Sequence, residues 1–257
     1  MSTQAYDLLA RVYDLQHRTF TEDVPMYLTL AAQAGSPAQV LEFGAGTGRV
    51  MIPLLEAGHG VAGVDLSRGM LDIAAQRIAE SPKAKAAPSK LIEADTRSLA
   101  LDEKFDLVII ALNTFLHNLT REDQLATLRA ARAHLRPGGS LVVDLPPNDE
   151  LANQPDDGVF DLEASLIDPA SKSHIEKFVA SRVFWAAQEQ ELKYRVEETS
   201  KGETHAQTVS FRLRHVFKHE MELLLQAAGF ARWDWFGDYA LAPYSDSSRR
   251  MIVQALV

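Results

Sequence analysis

The chain has 257 residues, 46% hydrophobic and 24% charged, which excludes wholesale disorder and a fibrous repeat and suffices for a sizeable core. Against 35 Asp and Glu stand only 26 Lys and Arg, a net charge of −9 that argues against a nucleic-acid groove as the main business. Cysteine is absent, so disulfides, thiolate metal sites and a cysteine nucleophile are excluded.

No run approaches the roughly 18 consecutive apolar residues of a membrane span. The stretch Met1–Asp7 has neither a basic start nor a long apolar run, so a cytoplasmic chain without a signal peptide is expected. Residues 3–34 read as helical with a break near Phe20–Pro25, where Thr21, Glu22 and Asp23 can open the second helix. Residues 38–43 form a short strand that runs into glycines, and 49–57 are helical until Gly58. Val61–Asp65 is a second strand. Ser67 caps a helix to about Ala79, with Met70, Ile73 and Ala74 on one face. Leu91–Asp95 is a third strand. Phe105–Leu112, nearly all apolar, is a fourth, patterned for burial on both faces. A helix around Arg121–Leu135 precedes the turn Arg136-Pro137-Gly138-Gly139 and a fifth strand, Ser140–Leu145. This alternation predicts a parallel sheet with helices on both faces.

From about 155 to 217 the pattern changes. Phe178–Trp185, Glu191–Thr199 and Thr208–Phe217 alternate with period two, and Lys201-Gly202 supplies a turn. An antiparallel meander inserted into the α/β core is expected. A helix carrying Met221, Leu224, Leu225 and Ala228 follows, ended by Gly229. Strands near Arg232–Tyr239 and Arg250–Leu256 complete the chain.

The first strand ends in glycines at 44, 46 and 48. A dinucleotide fingerprint wants a small residue at 49, where Arg stands, and no Gly-Lys-Ser/Thr follows to make a Walker A loop. The loop suits close backbone approach to a ligand, with pyrophosphate not the favoured one. Asp65 ends the second strand and can accept hydrogen bonds from both hydroxyls of a ribose. Asp95 is placed to meet an adenine amino group. Glu42 would repel a pyrophosphate and attract a cationic amino-acid moiety. All three sit at strand carboxy ends, where open α/β sheets bind ligands.

Val40-Leu41-Glu42-Phe43-Gly44-Ala45-Gly46-Thr47-Gly48 resembles motif I of class I S-adenosylmethionine-dependent methyltransferases. Val61–Ser67 resembles that family's ribose-binding strand end, and Glu93-Ala94-Asp95-Thr96 its adenine-contact segment. Phe105–Asn113 resembles its motif IV, and Leu135–Gly139 the turn before its fifth strand. The resemblance covers about 38–145. It implies S-adenosyl-L-methionine as cofactor and a Rossmann-like, doubly wound α/β fold. The seven-stranded sheet would be mostly parallel with the last strand antiparallel, carrying an N-terminal helical cap and an antiparallel β insertion after strand five. One methyltransferase domain is expected over 1–257: cap 1–35, cofactor-binding core 36–150, insertion 151–217 as a substrate lid, and core end 218–257.

The resemblance also implies roles. The backbone at Gly44, Ala45 and Gly46 would approach the methionine part, with Glu42 near its amino group. Asp65 would hold the ribose, Leu66 and Met70 would flank the adenine, and Asp95 would meet its amine with Thr96 adjacent. Leu112 and Asn113 would lie beside the methyl-transfer site. Tyr13 is the N-terminal residue with the best case for closing over the cofactor; Tyr6 and His17 read more readily as packing. His117 is either a general base or a packed loop histidine, and Asn113 either positions a substrate or caps a strand end. Trp185, Tyr194, Arg195 and His215 are weaker candidates for a substrate pocket.

No metal is expected: the histidines lack ligand spacing, and Asp144 with Asn148 lacks the adjacent acid and amide of metal-dependent relatives. The tails and the insertion look similar to the family's bacterial small-molecule branch. Direct in-line transfer to nitrogen or oxygen of a small molecule is therefore expected. The partner would be an amine or hydroxyl compound, with no nucleic acid or membrane, and a homodimer is admitted. The alternatives are a non-methylating member of the same fold (a cyclase or regulator), a nicotinamide-dependent oxidoreductase and an RNA methyltransferase.

Overall fold

The computed structural model describes residues 3–147 and 149–257; Asn148, weighed above as a metal ligand, lies outside the described residues. In chain order the elements are α1 (Thr3–His17), α2 (Val24–Ala34), β1 (Gln39–Phe43), α3 (Met51–Glu56), β2 (Gly60–Asp65), α4 (Arg68–Glu80), α5 (Pro82–Ala86) and β3 (Ser89–Glu93). There follow β4 (Phe105–Ile110), α6 (Arg121–His134), β5 (Leu135–Leu145), α7 (Glu150–Asn153), β6 (Asp161–Ile167), β7 (His174–Phe184), β8 (Glu189–Ser200) and β9 (Glu203–Arg214). The last are α8 (Lys218–Ala228), β10 (Arg232–Phe236) and β11 (Met251–Leu256).

Seven strands form one sheet in the order β10-β11-β5-β4-β1-β2-β3. The pairs from β5 through to β3 are parallel, and β11 is antiparallel to both of its neighbours. Helices cover both faces. Leu128 and Ala131 of α6 and Met221 and Leu225 of α8 pack on one, and Met26, Tyr27 and Leu30 of α2 with Met51 and Leu54 of α3 on the other. The strand order reverses between β1 and β4, so their carboxy ends open a crevice there.

Several elements depart from the sequence reading. The third strand stops at Glu93, leaving Asp95 in the loop, where its carboxylate caps the short turn 96–98. The fourth stops at Ile110, and Leu112 adopts φ +50°, a left-handed conformation uncommon for leucine. The fifth begins at Leu135 rather than Ser140: Pro137-Gly138-Gly139 form an irregularity within the strand, between the pairs Phe105–Leu135 and Leu107–Ser140. The second sheet has four strands, β6-β7-β8-β9, not three. Its edge strand β6 is largely exposed; Asp161–Leu166 alternates polar and apolar residues, a period-two signal that the sequence reading missed. Asp23 does not cap α2 with its side chain, because Arg49 takes it.

That pair is the main charged contact of the interior. Arg49 Nη1 and Nη2 donate to the two Asp23 oxygens at 2.5 and 2.7 Å, and Nη1 also donates to the Phe20 carbonyl at 3.2 Å. Asp23 is fully buried and Arg49 is 7% exposed. The large residue that spoils a dinucleotide fingerprint thus ties the glycine loop to the start of α2. Helix α1 lies between α4 and the second sheet. Its residues Ala5, Leu9 and Val12 pack with Ile175, Val196 and Val209 of the second sheet.

Asp23→Ala should cost about 3–5 kcal/mol, because it strands the Arg49 charge. Replacing both partners by apolar residues of similar volume should cost much less. Urea denaturation of the two variants measures the difference.

Candidate active site

The loop after β1 is built for approach without anion capture. Gly44, Gly46 and Gly48 all have positive φ, from +54° to +80°. A side chain at Gly44 would strike Thr114, its Cβ only 2.4 Å from Thr114 Cγ2, whereas a Cβ at Gly46 would meet nothing within 4 Å. The amides of Gly44 and Ala45 donate to the Val64 carbonyl at 2.7 and 3.0 Å, and that of Gly46 to Asp65 Oδ2 at 2.9 Å. Three successive N–H groups are therefore engaged and cannot cradle a phosphate.

The loop borders a cavity of about 400 Å³. Every residue singled out for the site lines it: Tyr13, Glu42, Gly44, Ala45, Gly46, Asp65, Leu66, Met70, Asp95, Thr96, Leu112, Asn113 and His117. Glu42 is 2% exposed and its Oε2 has no hydrogen-bond partner; burial pushes its carboxyl up to about 8. Burial also raises Asp65, against the opposing bonds from the amides of Ser67, Gly46 and Leu66. Asp95 differs. The Arg97 guanidinium clasps it, with Nε at 2.9 Å and Nη2 at 2.5 Å, and holds its carboxyl below the usual range. An adenine amine there would share an acceptor already committed.

Helix α1 roofs the cavity through a Tyr-Asp pair repeated after seven residues, which puts both pairs on one face. Asp7 Oδ1 accepts from Ser67 Oγ at 2.5 Å and from the Gly69 amide at 2.9 Å, so it caps α4 together with Ser67. Asp14 accepts from Arg77, which also donates to the Thr47 carbonyl at 3.0 Å. Tyr6 and Tyr13 face the cavity. Tyr13 stacks on His17, ring centroids 4.2 Å apart. The Tyr6 hydroxyl lies 2.7 Å from His117 Nε2, and both rings pack on Phe211. Burial lowers the His117 imidazole to about 4, so it is neutral at physiological pH.

Of the four insertion residues weighed, Tyr194 alone lines the cavity. Arg195 lies on Phe160 and Phe178, Trp185 is 57% exposed, and His215 is buried against Gln190. The sequence reading missed Lys177, a cavity-lining residue only 4% exposed. Its ammonium donates to Glu163 at 2.7 Å and Gln16 at 3.0 Å and sits 3.8 Å above the Tyr194 ring. It also missed Asp7 and Asp14, whose seven-residue spacing was the available signal. Asp144 is buried against Arg250, with Nε at 2.8 Å, and Tyr239. Among the described residues no group of three or more His, Cys, Asp or Glu could hold a metal ion.

Residues 40–139 match the family model described as a methyltransferase domain. The chain carries a class I S-adenosylmethionine-dependent methyltransferase domain. Over 105 residues, 41% of the chain, it is 36% identical to the cypemycin N-terminal methyltransferase of a Streptomyces species. Over 108 residues it is 34% identical to the glycine/sarcosine N-methyltransferase of Aphanothece halophytica. The matched stretches span 40% and 39% of those two proteins' own length. The solved structure of the CcbJ methyltransferase from Streptomyces caelestis superposes with a TM-score of 0.75 at 26% identity, covering 91% of this chain and 89% of that one. No helix among the described residues is long and apolar enough to cross a membrane.

The methyltransferase cavity fits that cofactor. Glu42 Oε2, buried and unpartnered, suits the ammonium of its methionine part, and the open space at Gly46 admits its chain. Asp65, anchored by the amides of Gly46 and Ser67, suits the ribose hydroxyls.

Pairing with an ammonium requires the Glu42 carboxylate, which in the free protein is protonated below about pH 8. Affinity for S-adenosylhomocysteine should therefore rise up to about tenfold per pH unit from pH 6 towards 8, and Glu42→Gln should flatten that slope. Asp65→Ala should weaken the same ligand by about 1–3 kcal/mol. Titration calorimetry across pH checks both.

Proposed function

We propose that the protein transfers the methyl group of S-adenosylmethionine to an amine nitrogen of a small molecule by direct in-line displacement. Bound S-adenosylmethionine supplies an electrophilic methyl, the acceptor lone pair forming the new bond to carbon as the carbon–sulfur bond breaks and its electron pair stays on sulfur. The protein's part is orientation and exclusion of water. Glu42, Asp65, Leu66, Met70, Asp95 and Thr96 hold the cofactor, with Tyr13 above it and Gly44, Ala45, Gly46 and Leu112 shaping the space for its methionine part. His117 and Asn113 attend the acceptor. Residues 1–35 act as cap and 151–217 as lid on one methyltransferase domain, in the cytoplasm, with no role for nucleic acid or membrane.

The observation that carries nitrogen over oxygen is the weak basicity of the histidines around the aromatic part of the cavity. His117 lies near 4 and burial lowers His17 as well. A hydroxyl acceptor needs a base to raise its nucleophilicity, whereas a neutral amine already carries its attacking lone pair. Of the relatives matched over the core, one is named as an N-terminal methyltransferase and another as a glycine/sarcosine N-methyltransferase, which agrees.

Incubation with S-adenosylmethionine and glycine, sarcosine, an amino sugar and a short peptide with a free N-terminus, beside matched alcohols, tests the proposal by mass spectrometry. A methyl gain confined to amines is expected; gain on alcohols alone would contradict it. On an accepted amine, His117→Ala should lower turnover about tenfold or more while leaving cofactor affinity within about twofold.

A further inference from the structure

The Tyr6–His117 pair has one hydrogen-bonding position more than it uses. The hydroxyl and Nε2 are 2.7 Å apart, and His117 Nδ1 is buried with no partner. Both groups are uncharged: burial lifts the Tyr6 phenol well above its ordinary value and keeps the imidazole neutral. In the tautomer with its proton on Nδ1, His117 accepts the phenol proton at Nε2, which leaves the Tyr6 oxygen lone pairs free and makes that oxygen a stronger acceptor. The ring is held edge-on to His117, at 5.3 Å, and against Phe211, at 5.4 Å. The Asp7 contacts with Ser67 and Gly69 fix the turn of α1 that carries it. Tyr6 lines the same cavity as Gly44, Leu112 and Asn113, and His117 closes the turn directly after Asn113.

We infer that the Tyr6 hydroxyl, oriented by His117, is the acceptor that meets the substrate N–H at the methyl-transfer point, and that His117 is a positioning residue acting through it. This rests on the amine reading above. The N–H proton stays on the product nitrogen, so the weak base beside Tyr6 is asked to take nothing. As nitrogen attacks and becomes positive its N–H becomes a better donor, so the bond to Tyr6 strengthens towards the transition state. The open left-handed bend at Leu112 belongs to the same rim and keeps the chain after β4 close to this point.

Sinefungin carries an amine where the cofactor carries its sulfonium methyl, so it places N–H groups at the transfer point; S-adenosylhomocysteine places none. Calorimetry should give Tyr6→Phe about a tenfold loss in sinefungin affinity and less than a twofold change for S-adenosylhomocysteine. Adding His117→Phe to Tyr6→Phe should cause no further loss in the ratio of the two affinities. An unchanged ratio in Tyr6→Phe overturns the inference. So does a further loss in the double variant, which would put His117 itself at the transfer point. Wild-type protein that binds neither ligand overturns the methyl-transfer reading and this inference with it, whereas an unchanged ratio with normal S-adenosylhomocysteine binding overturns this inference alone.

Discussion

Helix α1 has to satisfy two surfaces at once, and the site depends on its doing so. On one side Asp7 and Asp14 dock on α4 and the loop that carries Asp65, through Ser67, Gly69 and Arg77. On the other, Leu9 and Val12 pack into the second sheet, and Arg11 pairs with Asp168 and Glu198. Between those attachments Tyr6 and Tyr13 point into the cavity. A slip of one residue would turn the tyrosines away and leave the aspartates without partners, so the seven-residue repeat fixes the roof in register with the floor.

The floor follows from a second constraint, the burial of carboxyl groups at the strand ends. Asp65 is held by backbone amides that also shape the glycine loop, so its position and the loop's are one feature. Glu42 has less: the Met51 amide favours its charged form, but Oε2 is unpartnered and burial holds the carboxyl at about 8, protonated at neutral pH. Asp23, fully buried, is neutralised by Arg49, which leaves Glu42 as the buried strand-end acid with an unpartnered oxygen. On the proposed reading, polar chemistry is thereby concentrated at the cofactor end, and the acceptor end is given to aromatic rings, weakly basic histidines and one paired lysine.

Much of the core was legible in the sequence because its signals are local. Positive φ favours glycine at 44, 46 and 48, Ser67 caps the helix that starts beside it, and the short, mostly apolar run 105–110 is patterned for a buried strand. What escaped depends on contacts across the chain or on patterns too weak to see. The Tyr6–His117 contact spans 111 residues, and the burial of Lys177 needs Gln16 and Glu163 from other elements. Arg97 stands two residues from Asp95, yet nothing local says that it curls back on it. Strand β6 does alternate, from Asp161 to Leu166, but only over one short and largely exposed stretch. In the insertion, period two was read correctly, but it could not say which face would see the cavity; Tyr194 does and Arg195 does not.

The proposed methyl transfer requires one orientation of the cofactor, with its amino-acid end on Glu42, its ribose on Asp65 and its sulfur towards the aromatic roof. A crystal structure with S-adenosylhomocysteine bound tests it most directly. The predicted result is an amino group within hydrogen-bond distance of Glu42 Oε2, both ribose hydroxyls on Asp65, and the sulfur facing the Tyr6 hydroxyl. A ribose away from Asp65, or a reversed ligand with its adenine against Glu42, would contradict it.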